Sequence, residues 1–381
     1  MMFRTTFRTL LILIFLIPSF AQAQFSAFQY TVDGQQVDMA SRLESAKVNG
    51  MSIAIIRDFK IDTLIQVGWA DVSEQHAVNA STLFQAGSLT TPFTAILVVK
   101  AAQDGIIDLD TDINTYLRRW QLPNKHTDNG KDPVTAKDLL TKKRGFKLYS
   151  KPQGYLPGAT IPTMIQVLNG EAPATNKPVQ LRSNTHNQDN YSWETEAILA
   201  VLLEDVYQKG FAQLVEEHIF QPLDMHNAYL TAELSADQAK NASTGYDLEG
   251  QEIEGKRRIY PELGNAGLWT SAESYALFMI DLMKSAQANE GKILSQKWAK
   301  EALKSHHNGK SLLCNYMEDL EGFTYGGASK GFRTQMAGNP ENGTGIVLLM
   351  NSNENWRFMA ETQWGMIDHY QLRPAPSTAN N

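Results

Sequence analysis

The stretch FQAGSLTTPFTAILVVKAAQDG, residues 84–105, sets the first expectation about the fold. Its start indicates a strand end, Gly87 a turn, and the apolar residues after Ser88 a helix that stops at Gly105. A serine at such a helix start is a typical place for an acylated nucleophile. Ser88 alone is more simply explained as a helix N-cap, a position that serine favours. A nucleophile there needs a base one helical turn further on, and that position is a threonine.

Strand patterns occur at both ends of the chain, and helical patterns lie between them. The strand patterns are a hairpin at 50–71 and later segments at 322–327, 331–339 and 343–353. Helices are predicted in 109–120, after an acidic turn, and at 135–145, 192–210, 211–221, 270–289 and about 356–370, with Thr135, Ser192 and Thr270 or Ser271 as N-caps. Residues 146–190 have little periodicity and indicate an irregular excursion over a cleft. The pattern predicts one sheet built from N- and C-terminal segments, with a helical part inserted.

The first 23 residues have the pattern of a secretory signal peptide. Arg4 and Arg8 precede an apolar run, and Ala21-Gln22-Ala23 is a small-residue cleavage site. Removing residues 1–23 leaves 32 basic and 41 acidic residues, a net charge of −9. We therefore expect an exported, periplasmic or secreted protein with no transmembrane segment after cleavage. The acidic charge disfavours nucleic acid and anionic membrane surfaces as partners.

Cys314 is the only cysteine, so no disulfide can form within the chain. A catalytic thiol is one interpretation, and a small buried apolar residue is the more common one. The eight histidines show no metal-binding spacing, and no phosphate-binding or dinucleotide motif is present. We therefore expect neither a metal nor a cofactor.

Several stretches together carry a family resemblance. They are TLFQAGSLTTPFTAILVVKAAQDGIIDLDTDINTYL, VTAKDLLTKKRGF, VEEHIFQPLDMHNAYL, NAGLWTSAESYALFMIDLM and YGGASKGFRTQMAGNPENGTGIVLLMNS. The chain resembles the serine β-lactamase and penicillin-binding-protein superfamily, in its class C β-lactamase, DD-peptidase and esterase-like branch. The resemblance implies an α/β fold, with a mostly antiparallel sheet flanked by helices and an inserted helical subdomain. The expected limits are a signal peptide at 1–23, a domain at 24–372 with its sheet from about 24–80 and 320–372, and a disordered tail at 373–381.

The family's first catalytic element is Ser-x-x-Lys, in which the lysine helps to take the proton of the serine. The matching residues are Ser88 and Thr91, so the serine is present and the lysine is not. A threonine hydroxyl is too weak a base for this role at neutral pH.

The second element is Tyr-x-Asn or Tyr-Ser-Gly, and it corresponds here to Tyr191-Ser192-Trp193. Tyr191 is therefore the candidate general base or proton relay. Trp193 either narrows the substrate pocket or packs as an aromatic at a helix start. Glu194 is a candidate carboxylate base, although a first-turn glutamate also stabilises the helix dipole.

The third element is Lys-Thr-Gly or His-x-Gly on the strand at the sheet edge. It corresponds to Tyr325-Gly326-Gly327, so a tyrosine replaces the histidine or lysine. The two glycines still let a substrate approach the strand. The resemblance also implies an oxyanion hole made by the backbone N–H groups of Ser88 and about Ala328.

The family's His-Thr-Ser-Gly turn is replaced here by Lys142-Lys143-Arg144-Gly145. Lys142, another residue of this turn, or Lys330 could take over from the missing lysine in space. A solvated basic turn is the simpler interpretation.

Two functions follow from this pattern. The favoured one is an exported member of the family with lost or strongly reduced acyl transfer, which binds a cell-wall peptide or a protein partner in its cleft. The alternative is an active serine hydrolase of the esterase, DD-peptidase or β-lactamase type, acting through a Ser88 acyl-enzyme. Because loss of one member of a catalytic unit removes most activity, two replaced elements favour the first function.

Overall fold

The computed structural model describes residues 28–32, 34–123, 133–147, 153–182, 192–306, 308–352 and 355–374. Its strands are β1 (Gln29–Val32), β2 (Gln35–Asp38), β3 (Gly50–Arg57), β4 (Lys60–Asp71), β5 (His76–Ala77), β6 (Phe84–Gln85), β7 (Ala228–Leu230), β8 (Leu268–Thr270), β9 (Asn315–Met317), β10 (Gly322–Ser329), β11 (Phe332–Asn339) and β12 (Thr344–Met350). Its α-helices are α1 (Met39–Ser45), α2 (Thr91–Gln103), α3 (Ala136–Leu140), α4 (Met164–Asn169), α5 (Trp193–Tyr207), α6 (Phe211–Val215), α7 (Ala236–Ala239), α8 (Leu263–Ala266), α9 (Ala272–Ala288), α10 (Gln296–Leu303) and α11 (Trp356–His369).

The main sheet has seven strands in the order β5-β4-β3-β12-β11-β10-β9, and each neighbouring pair is antiparallel. The strand β12 from the end of the chain pairs directly with β3 from its beginning. A small sheet of order β6-β8-β7 and a hairpin of β1 and β2 complete the β-structure of the described residues. This is the mixed α/β fold with an antiparallel sheet and flanking helices that the sequence predicted.

Side chains of the central strands alternate between two apolar cores. Ile53 and Ile55 of β3 pack in one core with residues of α1 and α11. Ala54 and Ile56 point to the opposite face and join the larger core, which includes residues of α2, α5 and α9. Because successive residues of a strand face opposite sides, a sheet that is covered on both faces needs an apolar residue at nearly every position.

Most predicted elements are confirmed, including the hairpin at 50–71, the three late strands and the final helix. The helix predicted in 109–120 is wrong, since that segment holds only a 3₁₀ turn at Ile113–Thr115. The carboxylate of Asp205 accepts hydrogen bonds from the backbone N–H groups of Arg118 and Arg119, at 2.7 and 3.1 Å. Tertiary acceptors thus take the donors that a longer helix would have used.

Several other expectations fall wholly or partly outside the described residues. These are the signal peptide at 1–23, parts of the irregular segment 146–190, Tyr191, and the tail from residue 375 onward. The described part of 146–190 contains one short helix, α4. The predicted limits of the domain stay a prediction. Within the described residues, no helix is both long and apolar enough to cross a membrane.

Candidate functional site

Ser88 lies in a 3₁₀ turn, Gly87–Thr90, that joins β6 to α2. The prediction that Ser88 caps this helix is wrong, because α2 begins at Thr91 and its N-cap residue is Thr90. From residue 82 to residue 99, every residue is buried except Ser88, which is partly exposed. The turn therefore presents one serine at the surface of an otherwise buried wall.

Buried side chains hold this turn in place from three directions. The Thr90 hydroxyl donates to the Gly87 carbonyl at 2.7 Å and accepts from the Leu268 N–H at 3.2 Å. The Tyr275 hydroxyl donates to the Leu89 carbonyl at 3.0 Å. The Thr334 hydroxyl donates to the carbonyl of Ala86, just before the turn, at 2.7 Å. Fully satisfied buried polar groups of this kind fix a single local conformation.

The turn also packs against β10 so closely that two glycines are needed. Gly87 has φ +54°, and a Cβ atom there would lie 2.6 Å from the carbonyl of Ala328. A Cβ atom on Gly327 would lie 2.3 Å from the Ala86 carbonyl oxygen and 2.5 Å from the Leu89 nitrogen. Gly87, the residue before Ser88, is thus held against Ala328 of β10. The oxyanion hole itself stays a prediction.

A cavity of about 260 Å³ is lined by Thr91, the residue directly after the turn, but not by Ser88. Its walls include Thr91 from α2, Lys142 from the turn after α3, Glu196 from α5, and Tyr325 and Gly326 from β10. Three of the positions at which the sequence departs from the family pattern, 91, 142 and 325, therefore meet in one space. Nothing in the sequence spacing places these three residues together.

Lys142 and Glu196 form a buried ion pair at the wall of this cavity. The Nζ–Oε1 distance is 2.5 Å, and the side chains are 8% and 2% exposed. The interpretation of 142–145 as a solvated basic turn is therefore wrong for Lys142, and also for Arg144, which is buried. Lys143 alone fits it, with a half-exposed side chain that pairs with Asp138 at 3.1 Å. Lysine is rarely buried unless it is paired, so Glu196 explains how Lys142 is accommodated.

Two buried polar atoms of the cavity residues, Thr91 Oγ1 and Glu196 Oε2, have no hydrogen-bond partner among the described residues. Thr91 is 3% exposed and Glu196 is 1% exposed. A buried polar atom without a partner is costly, and such atoms are found where a ligand or a water completes the site.

Two further carboxylates, those of Glu194 and Glu262, are buried near the N-terminal end of α5. Burial raises the pKa of Glu194, the negative charge of Glu196 adds to the rise, and a hydrogen bond from the Ser192 hydroxyl opposes it. Burial raises the pKa of Glu262 to about 7, and the charge of Glu194 again adds to the rise. Ser192 thus occupies the predicted N-cap position, but its hydroxyl binds Glu194 instead of a backbone N–H.

The remaining predicted residues are placed as follows. Trp193 is 5% exposed at the start of α5, which agrees with its packing at a helix start, and it is not among the residues that line the cavity. Lys330, in the turn between β10 and β11, is likewise outside that lining. Tyr191 lies outside the described residues, so its predicted role stays a prediction.

Cys314 is buried, and burial strongly raises the pKa of its thiol. A thiol that stays protonated is a poor nucleophile, so the interpretation as a small buried residue is the better one. Among the residues described, no three or more His, Cys, Asp or Glu side chains are grouped so that they could hold a metal ion.

Comparison with known proteins agrees with this architecture. The family model described as Beta-lactamase matches residues 37–370. The chain belongs to the Beta-lactamase family. Among curated relatives, Protein flp of Staphylococcus aureus (strain MW2) is 22% identical over 368 residues, which covers 91% of this chain and 69% of that protein.

Two solved structures share the fold at low sequence identity. FmtA from Staphylococcus aureus has a TM-score of 0.70 and 17% identity, with 90% of each chain covered. The D-alanine carboxypeptidase AmpC from Burkholderia cenocepacia has a TM-score of 0.66 and 19% identity, with 87% of this chain and 96% of that one covered. The fold of this Beta-lactamase family member is therefore established independently of its catalytic motifs.

Sequence reasoning missed Glu196 and Glu262 entirely. Glu196 lies one helical turn after Trp193, on the helix that follows the second catalytic element. A glutamate in such an apolar helix was the available signal, because an unpaired buried carboxylate is unfavourable and implies a partner. No sequence signal distinguishes Glu262 from an ordinary surface glutamate.

Proposed function

We propose that this protein is a ligand-binding member of the Beta-lactamase family with lost or strongly reduced acyl transfer. The observation that carries the proposal is the composition of the cavity that Thr91 lines, three residues after Ser88. Position 91 offers a buried hydroxyl instead of an amine, and the buried Lys142 at that wall is already bonded to Glu196 at 2.5 Å. Serine needs a base to be a nucleophile at neutral pH, and neither group is suited to that role.

The ligand that we propose is a cell-wall peptide bound along β10. On its other side β10 pairs with β11, but on the side of β9 the pairing covers only Gly322–Thr324, and no described strand pairs with that side of Tyr325–Ser329. Within that uncovered segment, Gly326 and Ala328 are exposed. An extended peptide can add to such an edge through main-chain hydrogen bonds. The name of the structurally similar D-alanine carboxypeptidase supports a D-alanine peptide as the first probe.

Covalent labelling tests the proposed loss of acyl transfer. Mature protein is incubated with a fluorescent penicillin and with a fluorophosphonate, and the adduct is followed by intact mass. We expect no stoichiometric adduct, since losing a member of the catalytic unit costs on the order of 10⁴-fold or more. A stoichiometric adduct that disappears in Ser88→Ala would instead establish the alternative function, an active serine hydrolase.

Peptide binding is measured on the same preparation with a fluorescent pentapeptide that ends in D-alanyl-D-alanine. We expect saturable binding that Gly326→Val abolishes, because a valine there projects from the sheet face on the side of Gln335 and would crowd the side chains of a strand added beside β10. The matched control is Gly210→Val, at a position where a Cβ atom meets nothing within 4 Å. Binding that survives Gly326→Val would refute the β10 site, and a protein partner would then be the remaining candidate.

Export is part of the proposal and is supported by the sequence of residues 1–23. The expected mature protein begins at Gln24. N-terminal sequencing of protein recovered from outside the cytoplasm tests this, and an intact N-terminus at Met1 would contradict it.

A further inference from the structure

Lys142 is a charged side chain that reaches into the protein from the end of a helix. It follows Thr141, the C-cap residue of α3, and its φ of +57° is the left-handed conformation in which helices commonly end. Its ammonium group ends on Glu196 of α5, in a pair that is almost completely buried.

This ammonium group and position 91 belong to one cavity. Thr91 and Lys142 are walls of the same cavity, although they come from different elements. A lysine at position 91, one helical turn after Ser88, would project into this volume from α2. Threonine is much shorter than lysine and carries no charge. Another residue can therefore occupy this space and supply the positive charge there.

The carboxylate of Glu196 explains why one fully buried lysine is accommodated here, whereas the other lysine of the lining, Lys310, is partly exposed. It is 1% exposed, and one of its oxygens is bonded to Lys142. Burying one ammonium group beside one carboxylate leaves the pair neutral. A second ammonium group would have no counter-ion of its own in the lining, because Glu194 and Glu262 are not among the lining residues. A lysine at 91 and a lysine at 142 are therefore alternatives for the same partner.

We infer that Lys142, held by Glu196, takes the place in the cavity that the family's lysine reaches from position 91. The inference rests on the proposed function in one respect, namely that Ser88 has lost its usual lysine. Lys142 is a positioning residue in this scheme, because it fixes the charge and the shape of the wall beside the peptide edge. Restoring a lysine at 91 without removing the one at 142 then fails to rebuild the family arrangement.

A double-mutant cycle in thermal stability tests the inference. We expect Lys142→Met to lower Tm by about 5 °C, because it leaves Glu196 buried without its counter-ion. We expect Thr91→Lys to lower Tm by about the same amount, because it buries a second ammonium group. The double variant should return to within about 2 °C of the wild type, because a lysine at 91 then pairs with Glu196.

The matched control is Lys143→Met, which removes a neighbouring lysine with a half-exposed side chain. Alone it should change Tm by about 1 °C or less, and its effect should simply add to that of Thr91→Lys. A lysine at position 91 can rescue the loss of Lys142 only if both lysines pair with Glu196. If Lys142 serves only to pack the turn after α3, Thr91→Lys should give no rescue.

Additive losses in the double variant, near 10 °C in total, would overturn the inference. If Lys142→Met alone is too unstable to purify, we still expect the double variant to be recovered in folded form. Failure to recover the double variant would also overturn the inference. The cycle is measured on stability, whereas the proposed function is tested by labelling and peptide binding of the wild type, so the two can fail separately.

Discussion

The turn that carries Ser88 and the cavity that begins at Thr91 are neighbours in the chain, yet they differ in how well their buried polar groups are hydrogen-bonded. In the turn, the Thr90 hydroxyl both donates and accepts, and a hydroxyl of α9 bonds the Leu89 carbonyl. In the cavity, Thr91 Oγ1 and Glu196 Oε2 have no partner within the described part of the chain. The difference teaches that packing holds the position of Ser88 independently of the polar groups that line the cavity.

The largest expected effect comes from breaking the close contact between the turn and β10. Gly327→Val should lower the free energy of unfolding by about 3 kcal/mol or more, because its side chain would collide with the backbone at Ala86 and Leu89. Urea unfolding measures the loss.

Gly326→Val is the control for this contact, since a Cβ atom there meets first the flexible end of Gln335, at 2.5 Å. Its unfolding free energy should change by about 1 kcal/mol or less, because the Gln335 side chain can move. Equal losses at the two neighbouring glycines would show that the turn is not held by this packing.

An intermediate effect is expected from the carboxyl group of Glu262, which belongs to the acidic surroundings of the site. Its pKa is about 7 in the folded protein, against 4.5 for the ordinary group. Between these pH values the unfolded chain has released the proton while the folded protein keeps it, so stability falls as the pH rises. The free energy of unfolding should decrease by about 3 kcal/mol across this window.

Urea unfolding from pH 4 to pH 8 measures this slope in the wild type and in Glu262→Gln. The variant should lose the part of the slope that Glu262 contributes, since a glutamine carries no titrating proton, whereas the contributions of Glu194 and Asp281, whose pKa values burial also raises, should remain. Asp71 does not contribute to this window: burial alone would raise its pKa, but hydrogen bonds from Lys256 and Thr244 hold the pKa below its usual value. Parallel slopes in the two proteins would show that Glu262 is ionised in the folded state.

The smallest expected effect separates two adjacent threonines. Thr90→Val removes a hydroxyl with two hydrogen bonds and should destabilise the protein by about 1–2 kcal/mol. Thr91→Val removes a buried hydroxyl that has no partner among the described residues, and it should be neutral or stabilising by about 1 kcal/mol.

Thermal or urea unfolding of the two isosteric variants, side by side, makes this comparison. A loss of more than about 1 kcal/mol in Thr91→Val would mean that its hydroxyl is bonded in solution, for example to a water in the cavity. The Thr91 hydroxyl in the cavity would then be hydrogen-bonded, as the Thr90 hydroxyl in the turn is.

Much of the fold was predictable because local patterns and global packing agree. The alternating strands at 50–71 and in the last third of the chain, and helix α9 with its N-cap Ser271, follow from periodicity and capping. The helix predicted in 109–120 does not form for a tertiary reason, since the Asp205 carboxylate of α5 accepts hydrogen bonds from the backbone N–H groups of Arg118 and Arg119. Of the buried ion pair in the cavity, Lys142 was a candidate from the sequence, but its partner Glu196 was not.

The sequence by itself determined the family, the position of the serine and the absence of a lysine at 91, because these depend on residue order along one segment. Only the tertiary structure decided that Lys142, Glu196 and Tyr325 share a cavity with Thr91. Residues 54 positions apart meet as an ion pair there, since burying a lysine requires a carboxylate within reach. Charge pairing of this kind depends on distance in space, which the order of residues does not specify.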